Sequence, residues 1–255
     1  QVSDCVTGGL DTVAIRMPSD PIANRMIALA GIPIAAPSAN TSGRPSPTTA
    51  EHVYQDMNGK IEMILDGGAV GIGVESTIVD VSGPVPMLLR PGAITIEMLR
   101  ETVGQVEIDP AIQGPMAANV KPKAPGMKYR HYAPKAELVL VKEKNPETKE
   151  VISDRVIEEI NLLAKSRLDQ GQKVGIICTE ETRDCYPQGM VRSLGFRSRP
   201  ETIAHNLFAV LREFDDLDVD CIYSESFSKD HLGQAIMNRL TKAAGYHILD
   251  VKEEV

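Results

Sequence analysis

The sequence is poor in cysteine and shows no pattern among the cysteines it has. Its 255 residues include four of them, far apart and without C-x-x-C spacing: Cys5, Cys178, Cys185 and Cys221. Scattered cysteines indicate neither a zinc site nor a disulfide framework. We therefore expect a protein of a reducing compartment, the cytoplasm.

Long apolar runs are also lacking. No run of 18 apolar residues occurs, as a membrane-spanning helix would require. The first ten residues, QVSDCVTGGL, contain neither the charged region nor the apolar region of a signal peptide. We expect a soluble protein without a membrane partner. The chain starts with Gln1, and a strand-like segment at residues 12–17 follows almost at once, so we also expect a fragment.

Positive charge is in deficit. The 27 lysines and arginines face 35 aspartates and glutamates, which gives a net charge of −8. This balance argues against a nucleic-acid surface that covers the whole molecule. A local basic patch keeps an RNA-binding module open as an alternative function, and its affinity would fall steeply with salt. The patch consists of Lys121, Lys123, Lys128, Arg130 and Lys135.

What the sequence does contain is enough apolar content, 42%, to build two domains. Residues 1–108 alternate short β-rich runs with helical patterns, and residues 137–255 repeat the order strand, helix, strand, which is typical of a parallel, doubly wound sheet. Residues 109–136 hold five prolines and no sustained period, so they predict a linker. The predicted fold class is α/β.

The periodicity also predicts individual elements. In the first domain, strands are predicted at residues 13–17, 32–36, 63–66, 76–81 and 87–90, and helices at 21–30, 50–57 and 96–103. In the second domain, strands are predicted at residues 138–141, 173–179, 220–224 and 246–251, and helices at 146–170, 200–214 and 233–244.

The most informative segment is the polar loop at residues 35–49, AAPSANTSGRPSPTT. It connects an apolar run to a helical pattern, and amide groups at a helix start attract anions. Its hydroxyl and amide side chains add further donors, so the loop is typical of a phosphate site. An ordinary surface loop rich in serine and proline is the alternative. The donors are Ser38, Asn40, Ser42 and Ser46.

Residues 66–80, DGGAVGIGVESTIVD, form a second polar cluster in which glycines lead into a strand. Glycines let a backbone approach a ligand closely. The string matches neither a P-loop nor the dinucleotide fingerprint, and a plain hairpin loop is the alternative.

Two arginines are placed where they could bind an anion. Arg90 ends a strand before a Pro-Gly break, and its guanidinium could fork onto phosphate or carboxylate oxygens. Arg16 lies in TVAIRMP on the polar face of a predicted strand, where it is either a carboxylate clamp or merely solvated.

Five strings occur in a fixed order along the chain: TVAIRMP, PSANTSG, VESTIVD, LLRPG and KYRHYAP. This ordered set resembles the threonylcarbamoyl-AMP synthases of the YrdC/YwlC family in their two-domain form. The resemblance covers nearly the whole chain, and SESF and GQAIMNRLTKAAG resemble the family's C-terminal domain. It implies an N-terminally truncated YrdC-like twisted open-sheet domain over residues 1–108, a linker or lid over 109–136, and a smaller Rossmann-like α/β domain over 137–255.

In that family the YrdC-like domain converts L-threonine, bicarbonate and ATP into threonylcarbamoyl-adenylate and pyrophosphate. The adenylate serves the N6-threonylcarbamoyl modification of a tRNA adenosine next to the anticodon. The resemblance therefore implies a nucleotidyltransferase whose product passes to a threonylcarbamoyl transferase complex. It also implies tRNA, and double-stranded RNA generally, as a further partner.

The resemblance also implies roles for single residues. On the L-threonine side it implies Arg16 as the carboxylate clamp, with Ala36 and Ser76 as further contacts. No covalent nucleophile is implied, because preorganised donors and cations stabilise the charge that develops on the phosphates. Mg²⁺ is expected with ATP, without an identified protein ligand. The nucleotide side would comprise Thr12, Ser38, Asn40, Ser46, Arg90 and, from the lid, Tyr132.

The sequence departs from the family in one respect. The family's PTETVYGLG-like and KGRP-like strings are not in this sequence. The residues named above would then form only part of the pocket, and we expect unpaired sheet edges, exposed apolar faces and poor solubility or association.

A third functional class is a small-molecule sensor built on the C-terminal domain. Ligands often bind at the carboxyl ends of parallel strands, and polar residues follow one predicted strand and enter the last helix. They are Ser224, Glu225, Ser226 and Asn238.

Overall fold

The structure is a computed structural model that describes residues 2–7, 9–112, 114, 132–143 and 152–251. Its first part contains a small sheet in which β1 pairs antiparallel with β2, and β2 pairs parallel with β3. The helices are α1 (Asp4–Thr7), α2 (Pro21–Ala30), α3 (Ala50–Met57) and α4 (Ile96–Val103), and the strands are β1 (Ile78–Asp80), β2 (Met87–Arg90) and β3 (Glu107–Ile108).

The bounds of α2, α3 and α4 agree with the prediction because their ends are encoded locally. The Asp20 carboxylate accepts a hydrogen bond from an amide of the first turn of α2 at 2.8 Å, Pro21 opens the helix, and Gly31 ends it at a φ of 65°. Thr49 and Thr95 cap α3 and α4 in the same way. Such caps satisfy amide groups that have no partner within the helix.

Three predicted strands, at residues 13–17, 32–36 and 63–66, are wrong. The described residues 9–77 contain no strand. A strand forms only where its backbone pairs with another strand, and no described strand lies beside these segments. Their side chains are correspondingly exposed, as with Ile15 at 91% and Met17 at 90%. The expectation of exposed apolar faces is therefore confirmed for this part of the chain.

The second part is a five-stranded sheet with the order β6-β5-β7-β4-β8, in which every neighbouring pair is parallel. Its alternation of strands and helices confirms the predicted α/β class. Strand β6 was not predicted, because its sequence MVRS is short and half polar. The strands are β4 (Glu137–Glu143), β5 (Val174–Cys178), β6 (Met190–Ser193), β7 (Cys221–Glu225) and β8 (Ile248–Val251), and the helices are α5 (Asp154–Leu168), α6 (Pro200–Asp216) and α7 (Leu232–Ala243).

The core lies on both faces of this sheet. Alternate residues of β4 point to opposite faces, so Leu138 and Leu140 pack with α6 and α7, and Val139 and Val141 pack with α5. Helix α5 begins later than predicted, at Asp154, and residues 144–151 lie outside the described part. Helices α6 and α7 also contact the first part of the chain, which brings the two parts together at the predicted site.

Among the helices that the structure describes, none is both long enough and apolar enough to cross a membrane.

Candidate functional site

The central part of the polar loop, residues 40–44, is folded onto itself and onto α3. The Asn40 side-chain amide donates hydrogen bonds to the backbone oxygens of Thr41 at 3.0 Å and Arg44 at 3.2 Å. The Thr41 amide in turn donates to the Asp56 carboxylate of α3 at 3.1 Å. The other polar atom of Asn40, its side-chain oxygen Oδ1, is buried and accepts no hydrogen bond in the described structure. This oxygen can accept a hydrogen bond or ligate a cation.

Asp56 joins this loop to the C-terminal part of the chain. Its fully buried carboxylate receives hydrogen bonds from Arg44 at 2.5 Å and from Arg212 of α6 at 2.7 Å. Burial would raise the pKa of Asp56, but the hydrogen bonds from Arg212 and the Thr41 amide outweigh it and hold the pKa below its usual range. Arg212 also donates to the backbone oxygen of Pro45 at 3.0 Å. Helix α6 therefore holds the polar loop in place.

Glu75, which precedes Ser76 in the VEST string, is the second charged centre. Its carboxylate accepts hydrogen bonds from the Ser46 hydroxyl at 2.6 Å and from Nε of Arg239 in α7 at 2.8 Å. Burial would raise the pKa of Glu75, but Arg239 and the Ser46 hydroxyl hold it below its usual range. The carboxylate is therefore charged at neutral pH and ties the polar loop to the VEST string.

Arg90 lies against the same string from β2. It is only 5% exposed, and its Nε donates to the backbone oxygen of Ser76 at 3.0 Å. Burial and the nearby Arg239 lower the pKa of Arg90. The two strings are in tight contact at Gly92, where a Cβ atom would come within 2.4 Å of the Thr77 amide nitrogen. Only glycine fits between them.

Tyr132, the first described residue of the KYRHYAP string, is nearly fully buried beside Arg90. Its side chain hydrogen-bonds with Arg90, and its ring centre lies 5.2 Å from that of Phe208 in α6. The guanidinium of Arg239 lies over the same ring at 6.0 Å. Burial raises the pKa of Tyr132, so its hydroxyl keeps its proton at neutral pH. The predicted lid residue thus contacts both a predicted nucleotide residue and the C-terminal helices.

Four of the nine predicted site residues are brought together here: Ser46, Ser76, Arg90 and Tyr132. Asn40 lies in the adjoining loop. The other four are exposed, and no hydrogen bond or ion pair within the described residues joins them to this cluster. They are Thr12, Arg16, Ala36 and Ser38.

Four charged residues at the centre of the cluster were not predicted as site residues: Asp56, Glu75, Arg212 and Arg239. A signal for the two arginines exists in the sequence. Both lie among buried apolar residues of α6 and α7, at 1% and 0% exposure respectively, and a buried arginine needs a partner. The sequence does not say which distant carboxylate that partner is.

The residues of the sensor hypothesis are engaged within the C-terminal part. The Glu225 carboxylate is buried and accepts hydrogen bonds from Thr182, from Tyr186 at 2.8 Å and from Arg197 at 2.6 Å. Burial raises the pKa of Glu225, and Arg197 opposes that change. The remaining three bond internally as well: Ser224 and Ser226 through backbone or hydroxyl groups, and Asn238 to Arg239. These contacts form a structural network.

The described residues contain no group of three or more histidine, cysteine, aspartate or glutamate side chains that could hold a metal ion. A magnesium ion carried by phosphates fits, because it takes few protein ligands and prefers oxygen. The buried Oδ1 of Asn40 is such an oxygen.

Fold and site together define a two-part α/β protein in which YrdC-like polar loops dock on two helices of a doubly wound sheet. A family model described as "Telomere recombination" matches residues 1–92, and one described as "Threonylcarbamoyl-AMP synthase, C-terminal domain" matches residues 94–245. The chain belongs to the Sua5/YrdC family of threonylcarbamoyl-AMP synthases.

Relatives of this family match almost the whole chain. The threonylcarbamoyl-AMP synthase of Bacillus subtilis (strain 168) is 46% identical over 248 residues, which cover 97% of this chain and 67% of the relative. The threonylcarbamoyl-AMP synthase of Pyrococcus abyssi is 48% identical over 246 residues, which cover 96% of this chain and 68% of the relative.

Solved structures of the archaeal relative share the fold. A crystal structure of P. abyssi Sua5 complexed with L-threonine superposes with a TM-score of 0.86 at 45% identity, over 98% of this chain and 69% of that one. A doubly substituted variant of the same protein gives a TM-score of 0.88 at 44% identity, over 100% of this chain and 69% of that one.

Proposed function

We propose that this chain is an L-threonylcarbamoyladenylate synthase, which forms threonylcarbamoyl-AMP and pyrophosphate from L-threonine, bicarbonate and ATP. The relatives that match almost all of the chain carry the name of that activity. The observation that carries the proposal is that Ser46 of the polar loop, Ser76 of VEST and Arg90 of LLRPG meet around Glu75. The Ser46 hydroxyl donates to the Glu75 carboxylate, and Arg90 donates to the backbone oxygen of Ser76, the next residue.

The chemistry requires charge stabilisation more than covalent catalysis. The amino group of L-threonine forms a bond to the carbon of bicarbonate, and water leaves, which gives a carbamate. An oxygen of the carbamate then attacks the α-phosphorus of ATP, and pyrophosphate leaves with its electron pair. Negative charge then grows on the phosphate oxygens, where preorganised donors act most strongly. Arg90 supplies a fixed cation. The Ser46 hydroxyl donates its one proton to Glu75, so its oxygen is available as an acceptor. Asn40 lies in the same loop system.

On the L-threonine side the proposed contacts are Arg16, Ala36 and Ser76. The related P. abyssi Sua5 was crystallised with L-threonine. The exposed guanidinium of Arg16 suits a carboxylate, because arginine presents its donors as a planar fork. The Ser76 backbone is held by Arg90 at 3.0 Å, which fixes one side of this subsite relative to the nucleotide side.

The proposed nucleotide contacts are Thr12, Ser38, Asn40, Ser46, Arg90 and Tyr132. Mg²⁺ bound to ATP would find the side-chain oxygen of Asn40 as its protein ligand, and it would neutralise charge on the departing pyrophosphate. Tyr132 keeps the end of the linker against the site, and residues 115–131 of the predicted lid lie outside the described part of the chain.

The reactivity of the product indicates which partners the enzyme needs. A mixed anhydride of a carbamate and AMP hydrolyses readily in water, so a threonylcarbamoyl transferase complex must consume it, with tRNA as the final acceptor. We place this activity in the cytoplasm, where the four unpaired cysteines would remain reduced.

The test is pyrophosphate release from ATP that depends on both L-threonine and bicarbonate. It should be run on this chain and on the chain preceded by a relative's segment that carries the PTETVYGLG-like and KGRP-like strings. We call the second protein, with the relative's segment in front, the joined chain. We expect the joined chain to release pyrophosphate, and we expect this release to stop when either L-threonine or bicarbonate is omitted. Release that ignores both substrates, or no release from a folded joined chain, would contradict the proposal. A salt-sensitive affinity for tRNA without any turnover would favour the RNA-binding alternative.

A further inference from the structure

We propose that Arg239 is a positioning residue through which the C-terminal domain holds the two catalytic strings, VEST and LLRPG, in register. The proposal rests on the proposed function, because the strings matter only if they form the synthase site. It gives α7, which carries no predicted ATP or L-threonine contact, a direct part in the reaction.

Arg239 bonds directly to both strings. Its side chain is fully buried, and its guanidinium donates to three groups of the catalytic strings. Nε donates to the Glu75 carboxylate at 2.8 Å, Nη2 to the Glu75 backbone oxygen at 3.0 Å, and Nη1 to the Pro91 backbone oxygen at 2.7 Å. One planar group from α7 therefore fixes Glu75 and Pro91 relative to each other.

Each of these two anchor points adjoins a proposed substrate contact. Glu75 precedes Ser76, a proposed L-threonine contact, and its carboxylate orients the Ser46 hydroxyl at 2.6 Å. Pro91 follows Arg90, a proposed nucleotide contact. A shift at either anchor therefore moves a substrate-binding group, and misplacement of about 1 Å can cost on the order of 100-fold in rate.

Tyr132, at the end of the linker, also contacts Arg239. Tyr132 places its ring under the Arg239 guanidinium at 6.0 Å and hydrogen-bonds with Arg90. The end of the predicted lid thus rests on the same arginine that aligns the strings. Arg239 of the C-terminal domain therefore contacts both strings and Tyr132.

The position requires arginine and not merely a positive charge. Bonds run from Nε, Nη1 and Nη2 in different directions within one plane, and a lysine ammonium cannot reproduce that fork. Replacing Arg239 by lysine should therefore keep the charge beside Glu75 while releasing at least one backbone anchor.

Arg197 offers a matched control. It too pairs a buried carboxylate, Glu225, at 2.6 Å, and it too lies over an aromatic ring, Phe227, at 5.2 Å. Both partners belong to the C-terminal part and neither touches the catalytic strings. Arg197→Met should thus remove the same kind of interaction without displacing the site.

The kinetic test uses the joined chain with the substitutions Arg239→Met, Arg239→Lys and Arg197→Met, and rates are expressed per folded molecule. We expect Arg239→Met to lower the rate of pyrophosphate release on the order of 100-fold and to raise KM for both ATP and L-threonine. Arg239→Lys should give a smaller loss, of about tenfold. Arg197→Met should leave both KM values unchanged, because lost stability removes active molecules without altering the site. If the KM values for ATP and L-threonine in all three variants equal those of the parent joined chain, the proposal is overturned.

A second measurement does not depend on turnover. Hydrogen exchange of the amides of residues 74–79 should accelerate in Arg239→Lys relative to the amides of β5, and it should not accelerate in Arg197→Met. Unchanged exchange in Arg239→Lys would contradict the positioning role. If the parent joined chain releases no pyrophosphate, the proposed function fails, and the exchange experiment still decides whether Arg239 orders the strings.

Discussion

Glu75 shows how much depends on a single carboxylate at the contact between the two parts of the molecule. One of its oxygens accepts a hydrogen bond from the Ser46 hydroxyl, and the other accepts one from Arg239. Breaking a buried ion pair by removing one partner costs more than the pair itself contributes, because the remaining charge is left in a poorly solvated place. The stability of the chain should therefore respond to Glu75 more than to an exposed glutamate.

For Glu75→Gln we expect the free energy of unfolding to fall by about 3 kcal/mol at pH 7, because Arg239 loses its counter-ion. The folded-state pKa of Glu75 is lowered. Its stabilisation is therefore present above the ordinary carboxyl pKa and is lost as the pH falls through the folded-state pKa. The difference between the two proteins should accordingly narrow below about pH 4.

Urea denaturation at neutral and acidic pH measures this difference. The control is Glu180→Gln, which removes a surface ion pair with Arg183 at 3.8 Å and should cost less than about 1 kcal/mol. Equal losses for the two substitutions at pH 7 would show that Glu75 is not held as described.

The elements differ in how far the sequence predicts them. The bounds of α2, α3 and α4 follow from caps within a few residues of each end, so they are predictable from local sequence. The strands predicted at residues 13–17, 32–36 and 63–66 do not form, because a strand depends on a partner strand, and that partner is often distant in sequence. The apolar alternation alone carries no information about that partner.

The site residues also differ in how far the sequence predicts them. The polar loop, VEST and LLRPG contain Ser46, Ser76 and Arg90, whose residue types suit anion binding. They do not identify Arg239, because its role arises from contacts with residues more than a hundred positions away in sequence. An arginine on the apolar face of a helix indicates only that some buried partner exists.

At the level of elements, the contact between VEST and LLRPG should be intolerant of added volume. A Cβ at position 92 would meet the Thr77 amide nitrogen at 2.4 Å and the Glu75 backbone oxygen at 2.8 Å. We expect Gly92→Ala to separate the strings and to lower pyrophosphate release by the joined chain on the order of 100-fold.

The control for this substitution is Gly71→Ala, where a Cβ meets nothing within 4 Å. Its rate should stay within about twofold of the parent protein, as is usual for an open surface position. A Gly92→Ala variant that is as active as the Gly71→Ala variant would show that the strings need not be in tight contact.

At the scale of the whole molecule, the loops proposed to bind the substrates are held by helices outside the small sheet of the first part. Helix α6 binds the polar loop through Arg212, and α7 binds the VEST and LLRPG strings through Arg239. The doubly wound sheet supplies a rigid support for both helices, since its central strands β4, β5 and β7 are buried on both faces. The two parts therefore act as one structural unit at the site.

We propose that this assembled site makes threonylcarbamoyl-AMP. The most direct measurement is mass spectrometry of the adenylate formed by the joined chain from ¹³C-bicarbonate, L-threonine and ATP. We predict a product that contains AMP, threonine and one ¹³C atom, abundant with the parent and with Arg197→Met, and strongly reduced with Arg239→Met. Pyrophosphate release without a ¹³C-labelled adenylate, or a labelled adenylate that is undiminished in Arg239→Met, would contradict the account.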